Sequence, residues 1–202
     1  MLGLSEASSR ASRTMIPGIF RMSPRRFRKA IEAGVFGERH VELLGGIPFI
    51  MSENPPHIFA SSRVHSLLFA LAVQPRWFVN KEHRLELGQW LPLADAVVLE
   101  GPDTIYATRL AQVDDVALLV EIADTTYAKD SGPKLRRYAT FRIPVYWIVD
   151  LKRRIVEVRY QPFGKGKQAG YARCETYLEH DHVPVVLAGN EVGRIAVVQL
   201  LP

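Results

Sequence analysis

The spacing of apolar positions predicts two helices in the first half of the chain. Between His57 and Val73 apolar side chains recur every three or four residues, and Pro75 follows as a stop. Upstream, Ser23 and Pro24 form a cap and a first helical position for a short helix over residues 25–33. The segment between these helices has a different pattern.

Two apolar segments, 41–44 and 47–51, are separated by Gly45 and Gly46, which supply the positive φ that a tight turn requires. They predict a β-hairpin. Further strands are expected where apolar and charged residues alternate or where apolar residues run on without interruption. These expected strands cover residues 83–87, 93–99, 116–122, 144–150 and 154–160, with a last apolar segment at 195–201.

One part of this pattern predicts the topology. The apolar segment 116–122 is followed by a cationic helical pattern over 131–141 and then by a second apolar segment that ends at Asp150. Strand, helix and strand in this order indicate a crossover between two parallel strands. We therefore expect an α/β (α+β) fold with a central mixed sheet flanked by helices.

Composition indicates the size of the core, the absence of an internal disulfide and the cellular compartment. The chain has 202 residues, of which 48% are hydrophobic and 23% charged, as in an ordinary globular domain with a sizeable core. The single Cys174 cannot form an internal disulfide, and no apolar run is long enough to span a membrane. A cytoplasmic protein without a membrane partner is the expectation.

The net charge of +5 is concentrated at the N-terminus. Residues 1–39 contain eight Arg and Lys residues against three Glu residues, and the rest of the chain is balanced. We interpret residues 1–39 as a basic N-terminal extension with a short helix, and two roles for it remain open. It either contacts a phosphate backbone or is a solvated tail.

Candidate chemistry lies on two of the predicted strands. Asp95 opens a strand that is otherwise apolar, and Glu121 lies near the end of another. Ionisable groups at the mouth of such a sheet are frequent sites of chemistry. Mg²⁺ prefers oxygen ligands and is commonly held by one or two carboxylates. Without further information, both residues could equally be solvated strand ends.

Several short motifs occur together and in a fixed order. They are Val41-Glu42-Leu43-Leu44, Pro55-Pro56-His57, Asp95-Ala96-Val97-Val98-Leu99, Leu119-Val120-Glu121-Ile122, Lys134-Leu135, Tyr138-Ala139 and Pro144-Val145-Tyr146-Trp147 through Asp150. Through them the chain resembles the Uma-type restriction endonuclease family of the PD-(D/E)XK nuclease superfamily. The resemblance extends from about residue 41 to residue 202.

The resemblance implies a restriction-endonuclease-like nuclease domain over residues 40–202. It implies that Asp95 and Glu121 bind Mg²⁺ or Mn²⁺, with the backbone carbonyl of Ile122 as a further ligand. Glu42 is similar to the additional acidic residue of such sites, and His57 is an auxiliary candidate. The other histidines show no metal-ligand spacing.

The chain departs from the superfamily pattern at three positions. Ala123 occupies the usual lysine position, so the resemblance to a variant with a helix-borne lysine implies Lys134, with Lys129 as the fallback. Ala94 replaces a proline that only shapes the backbone. Val145 replaces a glutamate.

The implied activity is metal-dependent hydrolysis of DNA phosphodiester bonds. A homodimer would be the simple way to cut both strands of a duplex. Two alternatives remain open at this point. One is a catalytically inactive nucleic-acid-binding module on the nuclease fold, and the other is a nuclease that acts on RNA or on structured or single-stranded DNA. The sequence does not separate these substrates.

Overall fold

The computed structural model describes residues 18–51, 54–109 and 111–202 and has a central six-stranded mixed sheet. The strand order is β3-β4-β5-β6-β7-β8, and β5 and β6 are the parallel pair, whereas the other neighbours are antiparallel. Two separate antiparallel hairpins, β1-β2 and β9-β10, complete the strands of the described residues. The expected mixed sheet flanked by helices is confirmed.

The ten strands are β1 (Val41–Leu44), β2 (Ile47–Ile50), β3 (Trp77–Arg84), β4 (Leu93–Glu100), β5 (Val116–Ala123), β6 (Val145–Asp150), β7 (Ile155–Phe163), β8 (Gly170–Leu178), β9 (His182–Leu187) and β10 (Asn190–Ala196). The helices are α1 (Pro24–Glu32), α2 (Pro55–Leu71), α3 (Asp103–Tyr106), α4 (Tyr127–Lys129) and α5 (Leu135–Thr140). A π-helical turn, Asp130–Lys134, joins α4 to α5. Short 3₁₀ turns occupy Val113–Asp115, Gly166–Gln168 and Val197–Leu200.

Strands β5 and β6 are buried along their whole length, and β4 is buried except at its last residue, which explains their nearly unbroken apolar sequences. One face of the sheet packs on α2 and on the β9-β10 hairpin around Trp147. The opposite face packs on α5 around Tyr138 and Tyr146. A sheet covered on both faces excludes water from any side chain that points inward from these strands.

The first helix packs on the β1-β2 hairpin. Ser23 caps α1 by accepting a hydrogen bond from the N–H of Arg26, as its sequence predicts. Phe27 is fully buried in a small cluster with Val41, Leu43 and Leu91. Residues 1–17, which include the first part of the predicted basic extension, lie outside the described residues.

Most predicted elements are present, but the strand predicted over 83–87 is wrong in position. The observed β3 begins at Trp77 and ends at Arg84. Leu85 and Leu87 are fully buried, so their alternation with charged residues reflects packing into the α5-side core. The backbone here forms an isolated bridge between Leu87 and Trp90 and a hydrogen bond from Leu85 N–H to the carbonyl of Pro92. The last predicted apolar segment, 195–201, contains only the end of β10 and continues as the 3₁₀ turn Val197–Leu200, and no strand was predicted for β8, β9 or the rest of β10.

None of the helices in the described ranges is long and apolar enough to cross a membrane.

Candidate active site

Acidic and basic side chains converge in a cleft of about 240 Å³ at the carboxyl end of β5 and the amino end of β4. Strands β4 and β5 contribute Asp95, Glu121 and Ile122, and the start of α2 contributes His57. The helical segment after β5 supplies the cations. The complete lining is Ile50, Met51, Asn54, His57, Asp95, Glu121, Ile122, Asp124, Thr125, Thr126, Lys129, Asp130 and Lys134.

Asp95 is held from two sides. Its Oδ2 accepts a hydrogen bond of 2.6 Å from the backbone N–H of Ile122, which links β4 to β5 at the cleft. Its Oδ1 lies 3.2 Å from Nε2 of His57. Asn54 caps α2 by accepting from the N–H of His57, so the first turn of this helix fixes where the imidazole enters the cleft.

Glu121 faces the helical segment. Its Oε1 accepts a hydrogen bond of 2.9 Å from Nζ of Lys134 and a second from the hydroxyl of Tyr138. Burial raises the pKa of Glu121 well above its usual value, and the attraction of Lys134 does not offset this. The neighbouring carboxylates of Asp130, Asp95 and Glu42 raise the pKa of Glu121 further. A nearby cation would therefore stabilise the ionised form.

Lys134 is almost completely buried and touches two carboxylates. Its Nζ lies 3.0 Å from Glu42 Oε2 and 2.9 Å from Glu121 Oε1. Burial alone would lower the pKa of Lys134, but the charges of Glu121, Glu42 and Asp130 outweigh it and raise the pKa above its usual value. Lys134 is therefore a fixed positive charge and cannot accept a proton at neutral pH.

Glu42 is fully buried at the start of the hairpin and also contacts the fallback lysine. Its Oε1 accepts a hydrogen bond of 2.7 Å from Nζ of Lys129. Burial opposes ionisation of Glu42, but Lys134 and Lys129 outweigh it and lower the pKa of this carboxyl. Glu42 is therefore the charged partner that keeps both ammonium groups in place.

The π-helical turn explains how the helical segment delivers its charges. Asp130 and Lys134 are one turn apart and both are buried, and Tyr138 follows one turn later. A π-helical turn inside a helix is a frequent feature of functional sites. At the position where the superfamily has its lysine, Ala123 is fully buried in the α5-side core, beside Leu135 and Tyr138.

Asp130 is a member of the site that the sequence analysis missed. Its Oδ2 accepts a hydrogen bond from the hydroxyl of Thr126, whereas its buried Oδ1 has no hydrogen-bond partner and lies 3.8 Å from Nζ of Lys134. Burial raises the pKa of Asp130 to about 6. The signal for it was its spacing of four residues from Lys134.

The donor set suits a hard divalent cation. Buried carboxyl groups of Asp95, Glu121 and Asp130 line the cleft and that of Glu42 lies behind it, so four of them stand against the two lysines, Lys129 and Lys134. Over the described ranges no three His, Cys, Asp or Glu side chains already form a cluster that could hold a metal. Mg²⁺ needs only one or two carboxylates because it retains several waters.

The structure thus brings together all the residues that the sequence singled out. Asp95, Glu121, Ile122 and Lys134 line one cleft, and Glu42 contacts Lys134 from behind it. Lys129, the fallback, contacts the same Glu42. Tyr138 is buried in the core and also donates its hydroxyl hydrogen to Glu121.

A family model described as "Uma2: Putative restriction endonuclease" matches residues 30–193. Among solved structures, one similar chain is "a putative nuclease belonging to DUF820" from Anabaena variabilis ATCC 29413. It is 14% identical, the match covers 81% of this chain and 90% of that chain, and the TM-score is 0.57. This similarity is one of fold. No curated protein matches the chain.

Proposed function

Because this chain belongs to the Uma2 family, whose model is described as "Putative restriction endonuclease", we propose that it is a metal-dependent endonuclease that hydrolyses DNA phosphodiester bonds in the cleft. The proposed catalytic residues are Asp95, Glu121, Lys134 and Glu42. Asp95, Glu121 and the carbonyl of Ile122 are the proposed ligands of Mg²⁺ or Mn²⁺. A homodimer would present two clefts to the two strands of a duplex.

One observation carries this proposal. A buried lysine lies within 3.0 Å of two carboxylates, Glu42 and Glu121, in a cleft that Asp95 also lines. Lys129 offsets Glu42 as well, but Asp95 and Asp130 are also buried here, and each buried carboxylate beyond those that the two lysines offset is costly unless a further cation compensates it. The arrangement is therefore better suited to binding a cation and a phosphate than to stabilising the fold.

Each side chain has a distinct role in the proposed reaction. A divalent ion, when bound, polarises a phosphate oxygen and lowers the pKa of a bound water. Lys134 keeps a positive charge beside Glu121, where it would stabilise the negative charge that develops on the phosphate. Tyr138 holds Glu121, and Ile122 N–H holds Asp95, so both carboxylates are oriented before substrate arrives. Glu42 keeps Lys134 from turning away.

The test combines cleavage with metal binding. Purified protein is incubated with supercoiled plasmid, single-stranded DNA and RNA, each with Mg²⁺, with Mn²⁺ and with chelator. We expect nicking or cleavage of DNA only with a divalent metal. Glu121→Gln should abolish it and should also abolish the increase in melting temperature that Mn²⁺ gives the wild-type protein.

The matched control is Glu86→Gln, which removes a carboxylate from an exposed ion pair with Arg28. It should retain both cleavage and the response to Mn²⁺. Binding of DNA without cleavage under every metal condition would favour the inactive binding module. Cleavage confined to RNA would reassign the substrate. Unchanged Mn²⁺ affinity in Glu121→Gln would refute Glu121 as a ligand.

A further inference from the structure

Two neighbouring grooves outside the cleft are lined by cations and contain no acidic side chain. The first lies at the start of α1 and the turn of the β1-β2 hairpin, where Arg21, Arg25 and Arg26 line it. The second lies beside α5, where Arg136, Arg137 and Lys167 line it. We call these six residues the basic stripe.

The segment after Leu87 joins the two grooves. Gln89 lines the first groove and Trp90 lines the second. The indole of Trp90 lies against the hairpin turn, since a Cβ placed on Gly45 would be 3.5 Å from its Nε1. On its other side, the guanidinium of Arg137 lies 5.6 Å from the centre of the Trp90 ring. The stripe is therefore continuous.

Among the described residues, no carboxylate compensates the charges of the stripe. In the described part of the chain, none of the six cations forms an ion pair with a carboxylate. The side-chain hydrogen bonds of Arg21 and Arg137 go to the backbone carbonyls of Gly45 and Leu87. Elsewhere on the surface, the arginines of β8, β10 and the β6-β7 turn are paired with glutamates, as in Arg173 with Glu175, Arg194 with Glu191 and Arg154 with Glu179.

The position of three of these arginines is unfavourable for the fold itself. Arg25 and Arg26 lie in the first turn of α1, Arg21 lies just before it, and this turn contains no acidic residue. The N-terminal end of a helix carries a partial positive charge, so cations there destabilise the helix and an anion is favoured. A ligand with several negative charges would remove this penalty.

The stripe leads towards the cleft along two elements. The turn of the β1-β2 hairpin lines the first groove, and Ile50 and Met51 at its other end line the cleft. Four residues of strand span roughly 13 Å, the length of about four nucleotides along a duplex axis. Pro133 lines the second groove, whereas the adjacent Lys134 lines the cleft.

We propose that the basic stripe binds the phosphate backbone of duplex DNA. The stripe lies on the surface of α1 and α5, beside the cleft. The inference rests on the proposed function, because the cleft is taken as the point of cleavage. A row of cations without acidic neighbours matches a regularly spaced series of phosphates. The amphipathic ring of Trp90 between the two grooves contacts the sugar-phosphate surface.

The test measures binding without cleavage, in chelator, by anisotropy of a labelled duplex of about 20 base pairs over a range of salt concentrations. The variant Arg25→Gln/Arg136→Gln removes one exposed cation from each groove. The control Arg76→Gln/Lys152→Gln removes two exposed cations that line neither groove and has the same net charge. Thermal melting of both variants verifies that they are folded.

We expect the stripe variant to lower the magnitude of the slope of log K against log salt by up to about 1.8, because each lost phosphate contact contributes roughly 0.9. At about 0.1 M salt this corresponds to a loss of affinity of about one to two orders of magnitude. The control should keep the wild-type slope to within about 0.3, since it loses no phosphate contact. Equal slopes in the two variants would overturn the proposal.

A second readout is tryptophan emission. Trp77 and Trp147 are buried, with 4% and 0% exposure, so a change on DNA binding should come from Trp90 and should disappear in Trp90→Phe. A change in emission that persists in Trp90→Phe would contradict the proposed contact between Trp90 and DNA.

Other outcomes separate this proposal from the proposed function. If the wild-type protein cleaves nothing in any metal but binds DNA with a steep salt dependence that the stripe variant weakens, the proposed nuclease activity is refuted. DNA binding by the basic stripe is then still supported. If the wild-type protein cleaves DNA but does not bind it in chelator, only the proposed DNA binding by the basic stripe is refuted. A loss of affinity confined to single-stranded DNA would overturn the assignment to a duplex.

Discussion

Lys134 carries its charge in a place that is almost closed to water, with 1% of its surface exposed. Its two carboxylate contacts, to Glu42 and Glu121, raise its pKa despite the opposing effect of burial. A lysine in this state acts through its charge and not by proton transfer. It would act on the transition state of phosphate hydrolysis more than on the bound metal.

We therefore predict that Lys134→Met loses cleavage rate but not metal affinity. The rate at saturating protein should fall on the order of 10²-fold or more. The affinity for Mn²⁺, measured by calorimetry, should be unchanged or higher because the cleft becomes more negative. The apo protein should lose about 3–5 kcal/mol of unfolding free energy, since Glu42 and Glu121 lose their buried partner.

Lys129→Met is the matched control for this variant. Lys129 is half-buried, contacts Glu42 and lies at the edge of the same cleft. It should keep most of the cleavage rate and lose less stability than Lys134→Met. If instead Lys129→Met is inactive and Lys134→Met is active, the catalytic lysine is Lys129.

Some site residues are visible in the sequence and others are not. Asp95 and Glu121 stand out because a carboxylate inside an apolar strand has to be compensated by something. Asp130 does not stand out, because a helix places charged residues on several faces and the sequence alone does not tell which face is buried. The hydrogen bond from Tyr138 to Glu121 is hidden for the same reason, since an apolar face needs the ring and not its hydroxyl.

At the level of elements, the helical segment after β5 is the most informative part of the fold. The sequence predicted one helix over 131–141, whereas the structure has α4, a π-helical turn and α5 in succession. Pro133 lies within the π-helical turn and has no N–H to donate, so a regular α-helix would be disfavoured at this point. The two ends of this turn, Asp130 and Lys134, both line the cleft.

The strands were predictable where both faces of the sheet are covered. Strands β4, β5 and β6 have long apolar runs for this reason. By contrast, β8 lies at the edge of the sheet and none of its residues is fully buried, so its sequence has neither a continuous apolar run nor a regular alternation. The β9-β10 hairpin packs against the α2 side of the sheet. Its apolar residues become buried only through this contact, which its own sequence does not indicate.

The turn between β1 and β2 gives an element-scale prediction. Gly46 has φ +87°, and a Cβ there would lie 3.1 Å from both Cβ of Arg21 and the carbonyl oxygen of Met22. The carbonyl of Gly46 also accepts from the N–H of Met22, which ties the start of α1 to the hairpin. Gly46→Ala should therefore lower the unfolding free energy by about 2–4 kcal/mol, from backbone strain and the close contacts together.

Gly34→Ala separates these two contributions. Gly34 also has a positive φ of +68°, but a Cβ there would meet no atom within 4 Å. Its replacement should cost only the backbone strain, about 1–2 kcal/mol. Urea denaturation of both variants measures the difference, and equal losses would show that the contacts with Arg21 and Met22 relax freely.

At the level of the whole molecule, charge is divided between two regions. The cleft collects buried carboxyl groups, while the basic stripe carries six cations that pair with no carboxylate among the described residues. Residues 1–17 add two arginines against one glutamate. Such a separation attracts a polyanion to the stripe and leaves the cleft attractive to a divalent cation. The stripe is not visible as a region in the sequence, because its residues come from three separate segments, 21–26, 136–137 and 167.

The first 17 residues, which lie outside the described part of the chain, carry a further excess of positive charge. They contain Arg10 and Arg13 against a single acidic residue, Glu6. We predict that deleting residues 1–17 weakens DNA binding and lowers the magnitude of the salt slope by up to about 1.8, because two phosphate contacts are lost at roughly 0.9 each. Cleavage should persist, since no residue of the cleft is removed.

The full-length variant Arg10→Gln/Arg13→Gln tests whether charge or chain length is responsible. If the two arginines contact phosphates, this variant and the deletion should give the same salt slope, and binding at high salt should be nearly unchanged in both. A solvated tail predicts that the deletion and the double variant both keep the wild-type slope. If only the deletion weakens binding, and does so equally at low and high salt, the segment contributes through contacts other than charge, and the phosphate contacts belong to the basic stripe alone.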